Sequence, residues 1–394
     1  MKKNILYVTR HFPPEISGGA RRPYLSVKYL KKFGYNITTV TPFHNKDHTF
    51  DNIEIQTKYI NNALMKQSGQ VVGATSLLNI IKSFIRTWAF YPDPNIRWAH
   101  KVTKSISNLN QYCAVITTSP PESTHYVGYL LSRRYNIPWI AEFRDTWFES
   151  PHRVELERHL IRRIFERELA KLWLKRCSGI ICISDYIYRD ICNYAPHDLP
   201  ASIIGHFSEV YSSSNQESLS SFSPFDKKSL NLLHSGGFEL SDHNRCLSTL
   251  LDYLCTIPTG KYPIILHITG QLSQRELYLL KNEKRLKVIN HGPVSLDRSR
   301  FFQSICDALL LYTPSESHAL PGKYSEYVLS KKPIYILGGG SWTSLVSDTS
   351  RLRPLHDIYR LRKGETVEID SEYLAEEAVK RMSAFIDYIL NKNA

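Results

Sequence analysis

The sequence predicts an α/β protein of two doubly wound domains, each a parallel sheet with helices on both faces, the two facing each other across a cleft. Three observations predict it. Short β-type runs alternate with longer segments of three- and four-residue apolar spacing along the whole chain. The alternation stops once, in a Ser-rich stretch, and then begins again. The 394 residues suit two domains of roughly 100–200 residues each.

In the first half the strand runs are NILYVT (4–9), NITTVT (36–41), CAVITTS (113–119), PWIAEF (138–143), GIICIS (179–184) and ASIIGHF (201–207). The Ser-rich stretch has the composition of a linker, so the reading is a first domain over 1–210, a linker over 211–229 and a second domain over 230–370. The second domain offers LNLLHSG (230–236), IILHITG (264–270), LKVINHG (286–292), CDALLLYT (306–313) and PIYILGG (333–339), and a helix closes the chain over 371–394. Such sheets bind ligands at the carboxyl ends of their strands, which directs attention to the loops that follow each run.

The composition, 42% hydrophobic and 22% charged with 18 Gly and 20 Pro, excludes a collagen-like or largely disordered chain. The net charge of +13 points to an anionic partner, whether nucleic acid, a phosphorylated small molecule or an anionic membrane. The seven cysteines are scattered and never form Cys-x-x-Cys, so neither a disulfide framework nor a zinc site is expected. The start MKKNILYVTR is too short in apolar residues for a secretory signal, and no run reaches the ~18 apolar residues of a membrane span. The expected location is the cytoplasm.

Five loops carry candidate chemistry. After the first strand, Gly18 and Gly19 precede a helix expected to begin near Pro23, where the backbone can approach an anion; a flexible turn is the plainer alternative. After CAVITTS two prolines end the strand and His125 falls in the first turn of the next helix, as a cleft residue or a structural one. Arg144 and Asp145 follow PWIAEF, either as cleft candidates or as a structural ion pair. In the second domain Gly236 and Gly237 end a strand and Arg245 opens a helix, while Lys323 and Glu326 share one face of a helix starting near Gly322, a spacing equally typical of a surface pair.

Taken together, the FPPEISGGARR loop, the TSPPEST turn before His125, the PWIAEFRDTW strand end and the PGKYSEYVLSKKPIYIL segment resemble a bacterial family 4 glycosyltransferase with the GT-B fold of two Rossmann-like domains. The resemblance covers most of the chain. It implies that Gly18 and Gly19 close over the donor diphosphate and sugar, and that His125 lies close to the transferred sugar. By the same resemblance Lys323 contacts the leaving diphosphate, Glu326 the nucleotide ribose, and Arg245, a weaker match, the diphosphate again. Many members carry a glutamate eight positions before the ribose glutamate, but here that position is His318, so that either Glu316 takes the role or the sugar is read differently. A C-terminal helix crossing back to the first domain also follows from the resemblance.

The implied activity is retaining transfer of a sugar from a nucleoside diphosphate sugar, UDP first, to a glycan or lipid-linked acceptor in surface polysaccharide synthesis. No Asp-x-Asp motif appears, so no metal or other cofactor is expected, the leaving phosphate being stabilised by cations and helix starts. The segment 76–91 has Leu77, Ile80, Ile81, Phe84, Ile85 and Trp88 on one helical face, and 153–176 is rich in basic residues; both are either ordinary protein surface and core or seats for an anionic membrane. A sugar-nucleotide epimerase and a non-catalytic nucleotide-binding protein are the rival readings, and no nucleic-acid-binding motif is present.

Overall fold

The computed structural model describes residues 3–15, 18–43, 51–56, 91–148, 160–211, 223–242, 244–258, 260–313, 320–340, 342–343, 346 and 351–393. Glu316, His318, residues 76–90 and residues 153–159 lie outside the described residues. The chain divides into two compact units, one formed by Met1–Gly205 with Ala375–Ala394 and the other by His206–Leu374. Each has a sheet whose strands are all parallel, flanked by helices, the pattern of a Rossmann-like domain.

In the first unit, strands β1 (Lys3–Thr9), β2 (Tyr35–Thr41), β3 (Asp51–Glu54), β4 (Ala114–Ser119), β5 (Trp139–Phe143), β6 (Gly179–Cys182) and β7 (Ala201–Ile203) lie in the order β3-β2-β1-β4-β5-β6-β7. Ile5, Leu6, Tyr7 and Val8 of β1 are all shut from solvent, as a strand covered on both faces requires. The helices are α1 (Gly18–Lys32), α2 (Ile96–Ser105), α3 (Ser123–Tyr135), α4 (Leu160–Leu174) and α5 (Asp185–Cys192). α3 lies against β5 because residue 128 is glycine, since a Cβ there would run into the Trp139 indole. Strand order reverses between β1 and β4, which makes their carboxyl ends the topological switch point.

Two local features differ from the expectation. α1 starts at Gly18, so Pro23 sits inside the helix and not at its first turn. Pro23 has no N–H to donate to the Gly19 carbonyl four residues back, and Arg144 Nη1 donates to that carbonyl instead, at 2.5 Å. The run ASIIGHF pairs only as far as Ile203, because the carbonyls of Ile204 and Gly205 turn to the guanidinium of Arg22 (2.9 and 2.5 Å).

The second unit has β8 (Leu230–Ser235), α6 (Leu247–Thr256), β9 (Ile264–Thr269), α7 (Gln274–Asn282), β10 (Lys287–Asn290), α8 (Leu296–Ile305), β11 (Ala308–Tyr312), α9 (Gly322–Val328), β12 (Ile334–Leu337) and β13 (Leu352–Pro354). Its sheet runs β10-β9-β8-β11-β12-β13, so the switch point falls between β8 and β11. The end of the Ser-rich stretch belongs to this unit: Phe225 packs edge-on against His267 and Phe302. Ser208 N donates to the Tyr373 carbonyl at 2.9 Å, which ties the first residues of the unit to its last.

The chain then returns to the first unit as α10 (Ala375–Lys392), which lies against α1 and buries Ala378, Val379, Met382, Ile386 and Ile389. Lys3 with Asp387 (2.6 Å) and Lys32 with Glu376 (2.7 Å) rim that contact, and Tyr35 donates to the Ser383 carbonyl at 3.0 Å.

Candidate functional site

At the switch point of the first unit, three loops are fastened by one side chain. Arg144, the first residue after β5, donates from Nε to the Ser119 carbonyl at 2.8 Å, from Nη1 to Gly19 and from Nη2 to Pro120 at 3.1 Å. The start of α1 and the ends of β4 and β5 are thereby held by a single planar guanidinium, a geometry that lysine cannot supply. Arg144 is almost wholly buried, and burial lowers its pKa while Glu142 opposes the shift. It is therefore bound to main chain, whereas Asp145 beside it is exposed.

Beneath these loops lies a buried polar network that the sequence reading missed. Glu142, fully buried on β5, accepts from Arg22 Nε at 2.8 Å and from the Tyr7 hydroxyl at 3.0 Å. Burial pushes the Glu142 carboxyl up, but the paired Arg22 overrides it and the net shift is downward. A lone carboxylate inside the apolar run PWIAEF was the available signal, since a buried acid needs a cationic partner. Asp93 caps α3, accepting from Ser123 N at 2.7 Å and Ser123 Oγ at 2.9 Å.

His125 stands apart from the loop surface. It is completely buried, with its ring 4.4 Å from Phe143 and 6.2 Å from both Trp139 and Trp147. Trp139 Nε1 donates to Thr117 Oγ1 at 2.8 Å, and Thr117 Oγ1 lies 2.8 Å from His125 Nδ1. The Thr117 hydroxyl thus links the indole to the imidazole, while His125 Nε2 has no hydrogen-bond partner among the described residues. Burial, with Arg144 adding to it, pushes the imidazole pKa down to about 3.

In the second unit the residues singled out converge at the end of β8. Gly236 has φ +125°, and a Cβ there would overlap the Lys323 ammonium, so only glycine leaves room for that amine. Gly237 is similarly crowded, its Cβ position lying 2.9 Å from the Gln271 carbonyl. α9 carries Lys323 and Glu326, and its Tyr327 hydroxyl accepts from Ser235 N at 2.9 Å, which locks the helix onto β8. Desolvation pushes the Lys323 pKa down to about 8; Glu326 raises it and Arg245 lowers it further. Arg245, just ahead of α6, has a buried Nε without a hydrogen-bond partner. Two cations held close, with mutual repulsion and little water, make a site that gains from an anion.

A cavity of about 460 Å³ also opens in this unit, lined by Tyr253, Leu337, Gly338, Thr343, Leu352 and Leu355 among others. No charged side chain lines it, so it lacks what would hold a phosphate, and the cationic site at the end of β8 is the stronger candidate. Among the described residues no group of three His, Cys, Asp or Glu is placed to hold a metal ion.

Solved structures resemble the chain over nearly its whole length. Sucrose-phosphate synthase from Thermosynechococcus elongatus matches with a TM-score of 0.63 at 12% identity, covering 99% of this chain and 100% of the other. The Candida albicans trehalose-6-phosphate phosphatase N-terminal domain matches at 0.66 and 12%, covering 99% and 97%. Anabaena HepE, solved in complex with UDP and glucose, matches at 0.53 and 13%, covering 99% and 93%. The chain has the GT-B fold. At these identities the likeness is one of fold. Comparison with protein-family models and with curated proteins gives no match.

Proposed function

We propose that the protein is a retaining glycosyltransferase that moves a sugar from a nucleoside diphosphate sugar, UDP the first candidate, to a glycan or lipid-linked acceptor. The observation that carries this reading is the pair Lys323 and Arg245 at the β8–β11 switch point, where Gly236 leaves room for the Lys323 amine. Breaking the bond between a sugar and a diphosphate sends negative charge onto the departing phosphate, and fixed cations stabilise it most where water is scarce. Glu326, one helical turn from Lys323, is assigned to the ribose hydroxyls, and the Gly18–Gly19 backbone to the donor. Retention places the acceptor on the leaving-group face, where a diphosphate oxygen takes its proton. His125 is assigned no contact with the sugar, because its ring is shut from solvent. The fold shared with a protein solved with UDP and glucose supports the donor class.

The test is ligand-dependent melting with UDP, GDP and CMP, followed by turnover of Lys323→Ala. UDP at a hundred times its Kd should stabilise the protein by about 2.7 kcal/mol, without need of added metal. Lys323→Ala should remove most of that shift and lower turnover about 10²-fold, with the ligand-free melting temperature little changed. Stabilisation by CMP alone, or near-normal turnover of Lys323→Ala, overturns the assignment. Donor consumption that does not require an acceptor would point to epimerisation.

A further inference from the structure

The two strands that flank the switch point of the second unit part before they end. β8 and β11 stay in register only as far as Leu233 with Leu309, although β8 continues to Ser235 and β11 to Tyr312. Gly236 N donates to the Thr269 carbonyl on β9, so the Ser235 amide, one residue earlier, points the other way, into the gap. The Leu310 carbonyl of β11 is already taken by His234 Nδ1, at 3.1 Å. What the Ser235 amide meets instead is the hydroxyl of Tyr327, at 2.9 Å, on a side chain wholly closed to solvent.

Lys323 lies four residues before Tyr327 on α9, so the two side chains leave one face of the helix. Their contacts on β8 are adjacent as well: Tyr327 reaches Ser235, and the Lys323 amine lies 1.7 Å from where a Cβ of Gly236 would stand. One hydrogen bond thus fixes the gap between helix and strand end, beside the amine whose place depends on that gap. Ser235 is steadied from a third element, since Gln303 Nε2 of α8 donates to its hydroxyl at 3.3 Å. A phenylalanine ring would fill the space of Tyr327 but leave a buried N–H unpaired.

We propose that Tyr327 is a positioning residue, whose hydroxyl sets the clearance between α9 and the end of β8 and thereby holds the Lys323 amine over Gly236. It touches no substrate and acts through Lys323. The inference rests on the reading of Lys323 as the cation that meets the diphosphate, and adds the residue that keeps the amine in place. With the hydroxyl gone, α9 can shift on β8 and water reaches the amine. Its titration, pushed down to about 8 by desolvation, then returns toward that of an ordinary lysine.

The test is Tyr327→Phe in the full chain, which keeps the ring in its packing and gives up one neutral hydrogen bond. With UDP as the probe, calorimetry near neutral pH should show affinity lowered about tenfold, the loss of part of a charge-assisted contact. The alkaline fall in affinity, set by the amine, should begin at a higher pH than in the wild type. Lys323→Ala and the double variant complete a cycle: because Tyr327 acts through the amine, the double variant should bind UDP no more weakly than Lys323→Ala alone. A hydroxyl that merely braced the fold would weaken binding by the same factor with or without Lys323, and would leave the alkaline limb where it was. The titration of the amine itself, followed by NMR without nucleotide, should rise above about 8 in Tyr327→Phe, a readout independent of the functional reading. An unmoved titration, unchanged UDP affinity in Tyr327→Phe, or full additivity in the cycle overturns the proposal. If Lys323→Ala leaves UDP affinity intact while the titration rises in Tyr327→Phe, the diphosphate reading falls and the positioning of the amine stands.

Discussion

Removing the Arg144 guanidinium should loosen the ends of β4 and β5 and the start of α1 at once. Arg144→Ala leaves the carbonyls of Gly19, Ser119 and Pro120 without their donor in a place closed to most water. A bond from a charged donor is worth about 1.5–3 kcal/mol, and the buried cation's own desolvation offsets part of the sum, so the expected loss is about 3–5 kcal/mol. Arg144→Lys keeps the charge but reaches fewer carbonyls, and should lose about half as much. Urea unfolding followed by tryptophan fluorescence is the suitable assay, because five of the six tryptophans belong to the first unit. Pro23→Ala sharpens the test by restoring an N–H four residues after Gly19. It should therefore recover about 1 kcal/mol more in the Arg144→Ala background than in the wild type. A loss below about 1 kcal/mol for Arg144→Ala, or perfect additivity with Pro23→Ala, would refute the reasoning.

Further outcomes follow from the buried ionisable groups and from Gly236. Because desolvation pushes the Lys323 amine down to about 8, UDP affinity measured by calorimetry should be level between pH 7 and 8 and then fall by up to about tenfold per pH unit, while Lys323→Arg should flatten the decline. His125 and His234, both pushed down to about 3 mainly by burial, bind protons only after unfolding between those values and the ordinary 6.5. Stability should accordingly drop as pH falls below about 6.5, and His125→Gln should reduce the slope by up to about 1.4 kcal/mol per pH unit; an unchanged slope in the first unit's unfolding would show that His125 is not buried neutral. Gly236→Ala should cost about 1–3 kcal/mol in backbone strain and abolish the UDP-dependent rise in melting temperature, by forcing the Lys323 amine aside.

The sheet was legible wherever a strand is buried on both faces. LNLLHS, IILHIT and ALLLY read as apolar runs because parallel strands under two helical layers have no polar face. Asp51–Glu54 and Leu352–Pro354 left no such trace, being short edge strands of mixed character. At the candidate site, glycine pairs and helix starts gave the location of Gly236 and Lys323, since a close backbone approach leaves a mark in the sequence. The roles of Arg144, Arg22 and Glu142 were not readable, because each depends on partners more than a hundred residues away or on carbonyls that every residue possesses. Nor does the spacing around His125 reveal that three aromatic rings close over it.

The return of α10 to the first unit has a consequence during synthesis. The whole of His206–Leu374 is translated between α5 with its following strand and the helix that covers α1. At about 5–20 residues per second, that interval lasts roughly 10–30 s. Throughout it the partners of Val379, Met382 and Ile386 remain uncovered on the nascent chain, while every residue of the later unit has already been made before its neighbour is complete. The unit begun first is thus the one finished last, and a ribosome stalled near residue 375 would leave a fully synthesised inner unit attached to an outer one still lacking its closing helix.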